Sequence, residues 1–285
     1  MHLYKTSQGN LIRTQEHFYA VNEDWDTLIN RDGLYAHLKS FVHESNRMSH
    51  HTGNQWLTEF ILPPIGTQEV WAAGVTYLRS RDARMEESED SGAADCYQRV
   101  YEAQRPELFF KSLAHRVSGH GQSVNIRQDS TWDVPEPKLT LFLNSAGTIQ
   151  AYTIGNDMSS RSIEGENPLY LPQAKMYERS AALGPCLWVI DEPIFADTRI
   201  QIDITRDGVK LFDDSTLLSR MKRSLTELAA WLYKEMDFSS GAFLMTGTCV
   251  VPPNDFTLQA GDIVNITIEG IGTLTNTVAV KSSPK

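Results

Sequence analysis

The sequence predicts a mainly β fold with some helices, of the α+β class, and three observations support this prediction. Short runs that alternate apolar and polar residues recur from Ser123 onward, among them KLTLFLN (138–144) and RIQIDIT (199–205). The sequence NSAG (144–147) separates two such runs and is typical of a hairpin turn. Helical spacing is confined to a few segments. So many short strands favour a barrel or a wrapped sheet roll.

The first 65 residues are predicted to form a small N-terminal domain. Short apolar pieces alternate there with turn residues, and DWDTLINRDGLYAHLKSFV (24–42) has apolar spacing close to that of a helix. Pro63 and Pro64 mark the boundary. Residues 66–285 are therefore predicted to form the second, larger domain.

The larger domain begins with an apolar run, EVWAAGVTYL (69–78), that predicts a buried strand. The charged segment 79–104 follows and is predicted to be helical in parts, with most of its charges solvated. RPELFFK (105–111) returns to a strand pattern. SLTELAAWLYKEM (224–236) predicts a helix, and its first residues carry the Ser-x-x-Glu pattern of a capping box.

Charge and cysteine content restrict the partners and the compartment. The formal net charge of −10, with 26 basic against 36 acidic residues, disfavours nucleic acid as a partner. No apolar run reaches the length of about 18 residues that a membrane helix needs, and the N-terminal stretch does not resemble a signal peptide. Cys96, Cys186 and Cys249 are far apart, which favours a reduced, cytoplasmic setting.

Two acidic residues on neighbouring strands are candidate ligands for a divalent cation. Residues 136 and 138 point to the same face of a strand, and the NSAG hairpin folds the next strand back beside them. Glu136 and Asp157 could thus converge at one sheet edge. Oxygen ligands of this kind suit Mg²⁺, Mn²⁺ or Ca²⁺. A pair of solvated edge carboxylates is the alternative interpretation.

Two further motifs could belong to the same site. Lys175 follows in a long loop rich in Pro and Gly, where a lysine close to carboxylates can stabilise an enolate. An ordinary surface lysine is the alternative. Gly247 and Thr248 follow an apolar run, and a Gly-Thr turn exposes backbone N–H groups that could hold a carboxylate.

The order of several motifs resembles the fumarylacetoacetate hydrolase superfamily over roughly residues 66–280. The motifs are GVTY, RPELFFK, VPEPKL, YTIGNDMSSRSIEGENPLYLPQAK, ALGP, TGT and GDIVNITIEGIGTL. The segments SRDARMEES and IEGENPLYLPQAKMY resemble more specifically the sugar-acid branch, typified by 2-keto-3-deoxy-D-arabinonate dehydratase. The resemblance implies a β-roll around a central site, in a homodimer or homotetramer that acts on a small-molecule 2-keto acid.

The resemblance also implies roles for individual residues. It implies a divalent cation, Mg²⁺ or Mn²⁺, with Glu136 matching the first acidic ligand of the family and Asp157 the last. Lys175 matches the lysine that stabilises the enolate, and Glu107 matches a proton-carrying glutamate of the dehydratase branch. Thr248, preceded by Gly247, matches the threonine that contacts the substrate near its carboxylate.

One residue departs from the family pattern, which is Glu-x-Glu where this chain reads Glu136-Pro137-Lys138. An ammonium about 4 Å from a divalent ion is repelled by about 8 kcal/mol at an effective dielectric constant of about 20. The long side chain of Lys138 could swing its charge to solvent and leave a weakened metal site. It could instead bridge Glu136 and Asp157, fill the place of the metal and leave the site impaired.

The resulting functional prediction is a metal-dependent dehydratase of a 2-keto-3-deoxy sugar acid such as 2-keto-3-deoxy-D-arabinonate, with 2,5-dioxopentanoate as product. Hydrolysis of a C–C bond in a diketo acid and decarboxylation of oxaloacetate are the enzymatic alternatives. The hydrolases of the family carry a catalytic histidine where this chain has SRDAR (80–84) and no histidine. A non-catalytic protein that binds 2-keto acids, with its metal site disabled by Lys138, is the alternative from another class.

Overall fold

The computed structural model describes residues 1–79, 85, 94–248 and 250–282. Strand residues outnumber helical residues, 38% to 23%, which confirms the prediction of a mainly β fold with some helices. Among the described residues, no helix combines the length and the apolar character that crossing a bilayer requires. The SRDAR stretch and half of the charged segment 79–104 lie outside the described residues. The described half of that segment contains the helix Ala94–Glu102, which confirms that the segment is helical in part.

The strands are β1 (His2–Thr6), β2 (Gly9–Arg13), β3 (Phe18–Val21), β4 (Arg47–Met48), β5 (Glu69–Gly74), β6 (Glu107–Leu113), β7 (Val117–Ser118), β8 (Ser123–Ile126), β9 (Asp133–Val134), β10 (Pro137–Leu143), β11 (Ile149–Asp157), β12 (Ser159–Ser160), β13 (Ala181–Trp188), β14 (Arg199–Arg206), β15 (Val209–Leu217), β16 (Ala242–Met245), β17 (Ile263–Ile268) and β18 (Gly272–Val280). The α-helices are α1 (Trp25–Ile29), α2 (Leu34–Lys39), α3 (His50–Glu59), α4 (Ala94–Glu102), α5 (Arg161–Glu166), α6 (Leu171–Lys175) and α7 (Leu225–Leu232). Short 3₁₀ turns cover Glu44–Asn46, Ala114–Arg116, Pro168–Tyr170 and Leu218–Arg220.

Two large sheets are built from the strands of the described residues. An 11-stranded sheet runs in the order β4-β3-β2-β1-β13-β11-β10-β16-β5-β6, with β7 paired to β13. A five-stranded sheet has the order β15-β14-β17-β18-β8, and β12 pairs with β9 in a short ribbon. Most neighbours are antiparallel, whereas β5 and β16 run parallel to each other.

The core lies on both faces of the 11-stranded sheet. On one face Leu139, Leu141 and other apolar residues pack against the five-stranded sheet, whose inward residues include Ile202. On the other face Phe142 packs in a cluster that includes Leu28 of α1 and residues of α2. Successive residues of β10 thus contribute to opposite layers, as the alternation of side chains along a strand requires.

Several local predictions are confirmed, and one needs correction. Gly147 adopts φ 76° in the NSAG turn between β10 and β11, and the Ser224 side chain accepts a hydrogen bond from the backbone N–H of Glu227 at the start of α7. The single helix expected over 24–42 is instead two short helices. The first helix ends at Asn30, whose ψ of 62° is not helical. The second begins after Gly33, which has φ 66°, a left-handed conformation that glycine adopts without strain.

The N-terminal segment continues the large sheet. Strand β1 pairs antiparallel with β13, where His2 faces Trp188 and Leu3 faces Leu187. Leu3 is fully buried in the same apolar cluster as Phe142, which lies far along the chain. The division into residues 1–65 and 66–285 stays a prediction, and this shared core provides a way to test it.

We expect Leu3→Ala to destabilise the whole chain by about 3 kcal/mol, because a buried leucine is replaced by a cavity. Urea unfolding followed by circular dichroism and by tryptophan fluorescence should show one common transition, shifted to lower urea. Leu169→Ala is the control, since that leucine is 84% exposed and should change stability little. Two separate transitions, with only the earlier one shifted, would instead support an independent N-terminal domain.

A second prediction concerns Asp133 in the β9–β12 ribbon. Asp133 is buried, and its Oδ1 atom has no hydrogen-bond partner among the described residues. Burial raises the pKa of Asp133 from the ordinary 3.8 to about 6, a rise that corresponds to about 3 kcal/mol. A raised pKa means that the folded state favours the protonated carboxyl, so this contribution to stability is present below about pH 4 and is lost as the pH rises through about 6.

Asp133→Asn should remove this pH-dependent contribution, because the amide stays neutral. The free energy of unfolding, measured from about pH 4 to about pH 7, should fall less steeply in the variant than in the parent protein. Asp191→Asn, at an exposed position, should follow the parent profile. A profile for Asp133→Asn that is parallel to the parent's would show that Asp133 is ionised in the folded state at all these pH values.

Candidate active site

The candidate site lies at one edge of the 11-stranded sheet, where several strands begin or end together. Strand β16 runs parallel to β5, so the chain leaves both strands at the same edge. Strand β10 is antiparallel to β16 and to β11, which places its first residues beside the last residues of both. Strand β6 begins there as well, with Glu107 opposite Gly74 at the end of β5.

Glu136 and Asp157 meet at this edge through their backbones. The N–H of Glu136 donates to the carbonyl of Asp157 at 3.2 Å, and the N–H of Asp157 donates to the carbonyl of Glu136 at 3.0 Å. Residues that exchange both hydrogen bonds lie directly opposite each other and project their side chains to the same face. Both side chains are buried, so the interpretation as solvated edge carboxylates does not apply.

The ammonium of Lys138 lies between these two carboxylates. Its Nζ atom is 3.2 Å from Oε2 of Glu136 and 2.8 Å from Oδ2 of Asp157. Burial alone would lower the pKa of Lys138, but the charges of Asp157 and Glu136 outweigh burial and hold that pKa above its ordinary value. Of the two arrangements that the sequence left open for this side chain, the structure has the bridge.

Lys175, the last residue of α6, reaches the same pair of carboxylates from the loop side. Its Nζ atom is 3.0 Å from Oε1 of Glu136 and 3.6 Å from Oδ2 of Asp157, and it donates to Oγ of Ser159 at 2.6 Å. The side chain is buried. Lys175 is therefore a member of the ion-pair cluster rather than a surface lysine.

Three more charged residues belong to the cluster, and the sequence analysis did not identify them. The Nζ atom of Lys111 lies 2.5 Å from Oδ1 of Asp157 and donates to the carbonyl of Met158 at 2.9 Å. Nη2 of Arg161 donates to Oε1 of Glu136 at 2.8 Å. Oε2 of Glu164 lies 3.9 Å from Nζ of Lys175.

The sequence around Lys111, Arg161 and Glu164 contains features that could have identified them as site residues. Lys111 is a charged residue that ends an apolar strand run, and its side chain is buried. Arg161 and Glu164 stand three residues apart on α5, and this spacing places them on one face of a helix. What the sequence does not contain is the position of α5 over the sheet edge.

Charged side chains of both signs make up the cluster. Among the described residues its cations are Lys111, Lys138, Lys175 and Arg161, and its carboxylates are Glu136, Asp157 and Glu164. Burial on its own would raise the pKa of Asp157, but the neighbouring lysines lower it to about 2. Burial lowers the pKa of Lys111 to about 8. Such a buried group of charges is costly unless it is fully paired or has a functional role, and its buried ammonium groups suit an anionic ligand.

Glu107 lies on the neighbouring strand β6. It shares a strand face with Phe109, whose ring centroid is 5.8 Å from the Nζ atoms of both Lys138 and Lys175. Its carboxylate folds over Gly74, because a Cβ built on that glycine would lie 2.0 Å from Oε2 of Glu107. Gly74 thus leaves the space that the Glu107 side chain fills.

The Gly247–Thr248 turn lies next to the start of β10. The N–H of Thr246 donates to the carbonyl of Leu139 at 2.9 Å, one residue beyond Lys138. Gly247 has φ 126° and passes so close to Thr76 that a Cβ would lie 1.8 Å from its Oγ1 atom. Thr248 is buried and donates its hydroxyl to the carbonyl of Val250 at 3.3 Å. Sequence-predicted residues from four segments therefore surround one sheet edge.

The described side chains of the site offer two carboxylate ligands to one cation, and these alone do not complete the coordination of a metal ion. The described residues contain no group of three or more His, Cys, Asp or Glu side chains that could hold a metal ion. Glu136 and Asp157 nevertheless converge on one cation position, as the Lys138 ammonium between them demonstrates. Two buried carboxylates that share a cation are suitable ligands for Mg²⁺ or Mn²⁺ once the ammonium has moved aside.

Comparison with known proteins supports the resemblance drawn from the sequence. The chain is 49% identical over 217 residues to a probable 2-keto-3-deoxyxylonate dehydratase of Haloferax volcanii, a match that covers 75% of this chain and 73% of that protein. It is 41% identical over 218 residues to the 2-dehydro-3-deoxy-D-arabinonate dehydratase of Saccharolobus solfataricus, a match that covers 75% of this chain and 72% of that one.

A solved structure shares the fold over the whole chain. It is 2-keto-3-deoxy-D-arabinonate dehydratase complexed with magnesium and 2,5-dioxopentanoate, with a TM-score of 0.84, 32% identity and 99% of both chains covered. The family model for the C-terminal part of fumarylacetoacetate hydrolase matches residues 83–279. These matches confirm the resemblance, and the chain belongs to the fumarylacetoacetate hydrolase family.

Proposed function

We propose that the protein is a hydro-lyase that dehydrates a 2-keto-3-deoxy sugar acid such as 2-keto-3-deoxy-D-arabinonate and yields 2,5-dioxopentanoate. The observation that carries the proposal is the buried charged cluster at the sheet edge, in which Lys138 and Lys175 contact the carboxylates of Glu136 and Asp157. A 2-keto acid presents a carboxylate and a keto oxygen side by side, and both gain from nearby positive charge. Relatives at 41% and 49% identity are dehydratases of this substrate class.

The cofactor that we propose is Mg²⁺, or Mn²⁺, with Glu136 and Asp157 as its carboxylate ligands. Magnesium is the ion of the solved relative. Bound at this position, the ion would polarise the keto group of the substrate. The ammonium of Lys138 now lies where the two carboxylates converge, so it has to move aside first.

The residues of the chain supply the remaining chemistry. Lys175 places a buried ammonium where it can stabilise negative charge that develops on the keto oxygen. Ser159 accepts a hydrogen bond from this ammonium and fixes its position. Glu107, two residues before Phe109 on the same strand, is the base that takes a proton from C3. The backbone at Gly247 and the Thr248 hydroxyl bind the substrate carboxylate.

The reaction balances as loss of one water molecule. Glu107 takes the proton as the C3–H bond breaks. The C4–O bond then breaks, and the C4 hydroxyl group takes up one proton and leaves as water. Transfer of a proton from C5 to C3 then gives an enol between C4 and C5. Transfer of the enol hydroxyl proton to C4 converts this enol into the aldehyde of 2,5-dioxopentanoate. Proton transfer by positioned groups of this kind contributes about a hundredfold or more to such reactions.

Other activities of the family are separable by experiment. Hydrolysis of a diketo acid or decarboxylation of oxaloacetate would use the same keto-acid site but break a C–C bond. A non-catalytic 2-keto-acid-binding protein is favoured by one observation, the Lys138 ammonium in the cation position. As assembly and compartment we propose a homodimer or homotetramer in the cytoplasm, on the basis of the family resemblance and the widely spaced cysteines.

The purified protein, supplied with MgCl₂ and 2-keto-3-deoxy-D-arabinonate, should release 2,5-dioxopentanoate, detected as a new aldehyde by NMR. The same assay with oxaloacetate and with a diketo acid tests the alternatives. Binding of a 2-keto acid without any turnover, seen as a rise in melting temperature, would contradict the dehydratase and support the binding protein.

Lys175→Met should lower dehydratase turnover by roughly a hundredfold or more, because the buried ammonium that stabilises the enolate charge is lost. The fold should persist, since Glu136 keeps its contacts with Lys138 and Arg161. Lys39→Met, at an exposed position at the end of α2, is the matched control and should keep full activity. Near-normal turnover in Lys175→Met would show that the role assigned to Lys175 is wrong.

Glu107→Gln should abolish proton removal at C3 without weakening cation binding. We expect the exchange of C3 hydrogen for deuterium in a bound 2-keto acid, followed by NMR, to slow by roughly a hundredfold. The dissociation constant for Mn²⁺ should stay within about twofold, because Glu107 lies on a different strand from the proposed ligands. Glu102→Gln, an exposed carboxylate nearby, serves as the control. Unchanged exchange in Glu107→Gln would remove this residue from the mechanism.

A further inference from the structure

The position of Lys138 goes beyond what the family pattern explains. Glu136 and Lys138 stand two residues apart on one strand face, and Asp157 faces them from β11. The Nζ atom contacts one oxygen of each carboxylate, and all three side chains are at most 2% exposed. The ammonium is therefore not a surface charge that happens to be near the site but part of its buried interior.

The other cations of the cluster do not duplicate this position. Lys111 approaches Asp157 at its other oxygen, Oδ1. Arg161 contacts Glu136 at Oε1, whereas Lys138 uses Oε2. Lys175 also lies within ion-pair distance of both carboxylates, but its longer contact, 3.6 Å to Asp157, is to the oxygen that Lys138 binds at 2.8 Å. Of the described cations, Lys138 thus bridges the two carboxylates at the shortest pair of distances.

A displaced Lys138 ammonium would have polar atoms within reach. Its Nζ atom already lies 3.4 Å from the carbonyl oxygen of Ala73 and 5.8 Å from the centroid of the Phe109 ring. A small rotation of the lysine side chain toward β5 could therefore keep its charge solvated by protein groups while the space between Glu136 and Asp157 opens.

We propose that the Lys138 ammonium is the resident cation of this site and that a divalent ion enters only by displacing it. The inference rests on the proposed function only for the identity of the ion. It predicts that the protein folds with its two site carboxylates fully neutralised in the absence of any metal. It also predicts that the affinity for Mg²⁺ or Mn²⁺ is lowered by the competing ammonium and rises when that ammonium is removed.

Calorimetric titration with MnCl₂ and with MgCl₂ tests the competition directly, in the parent protein and in Lys138→Met. We expect the variant to bind at least about tenfold more tightly than the parent, because nothing has to leave the position. Lys138→Glu, which adds an oxygen ligand, should bind more tightly still. The parent should bind weakly. Tight binding of Mg²⁺ by the parent, equal to that of the variants, would overturn the proposal.

A second lysine of the cluster provides a control that distinguishes the effect of the position of Lys138 from the effect of removing one positive charge. Lys111→Met removes the same charge from the same buried cluster but not from between the carboxylates. Its gain in Mn²⁺ affinity should be clearly smaller than that of Lys138→Met. Equal gains would mean that the net charge of the cluster, rather than the place of Lys138, controls cation binding, and the proposal would be wrong.

Thermal unfolding provides a second measurement that remains informative if Lys138→Met folds poorly. Without metal, this variant should melt below the parent, because two buried carboxylates have lost a shared cation. Added MgCl₂ should raise its melting temperature toward that of the parent and should change the parent little. A variant that stays destabilised with MgCl₂ present would mean that Lys138 has only a structural role. None of these measurements requires substrate, so a failure of the dehydratase assay is distinguishable from a failure of this inference.

Discussion

The backbone pairing of Glu136 with Asp157 is the constraint on which the site depends. Two reciprocal hydrogen bonds, at 3.2 and 3.0 Å, fix these residues opposite each other at the edge of the large sheet. Carboxylates forced so close together and away from water repel each other, and neither can stay ionised unless cations compensate for them. The lysines and the arginine that converge on this edge follow from that requirement.

The surrounding elements supply those cations from different directions. Lys111 comes from β6, Lys138 from β10 itself, and Arg161 and Lys175 from the two helices of the loop after β12. Each contact ties a separate segment to the same carboxylate pair. The loop that carries α5 and α6 is therefore held over the sheet by buried charge. A ligand that altered this charge balance would act on the loop as well as on the sheet edge.

Much of the fold was predictable because it is encoded locally. The alternation along β10 and β11, the turn at Gly147 and the cap at Ser224 all depend on residues close together in sequence. The break between Asn30 and Gly33 was not predicted, because the apolar spacing continues through it while the backbone leaves the helical conformation. The pairing of β1 with β13 joins residues far apart in sequence, for which the local pattern carries no signal.

The residues of the site also divide into those that the local sequence predicts and those that depend on the rest of the fold. Glu136 and Asp157 were predictable as a pair because one hairpin brings them together. Lys111, Arg161 and Glu164 were missed, since their contacts depend on where β6 and α5 are placed by the rest of the chain. The sequence raised the question of Lys138 but did not answer it. Whether a long side chain turns to solvent or bridges two acids depends on burial, which here is nearly complete.

The place of Lys138 has an evolutionary consequence. Lysine and glutamate codons differ by a single base, so the family's Glu-x-Glu pattern and the Glu136-Pro137-Lys138 of this chain are separated by one mutational step. With lysine, the chain itself supplies the cation that the two neighbouring carboxylates share. With glutamate, the proposed divalent ion would supply it. A lineage could therefore cross between the two forms in either direction without passing through an unfolded intermediate.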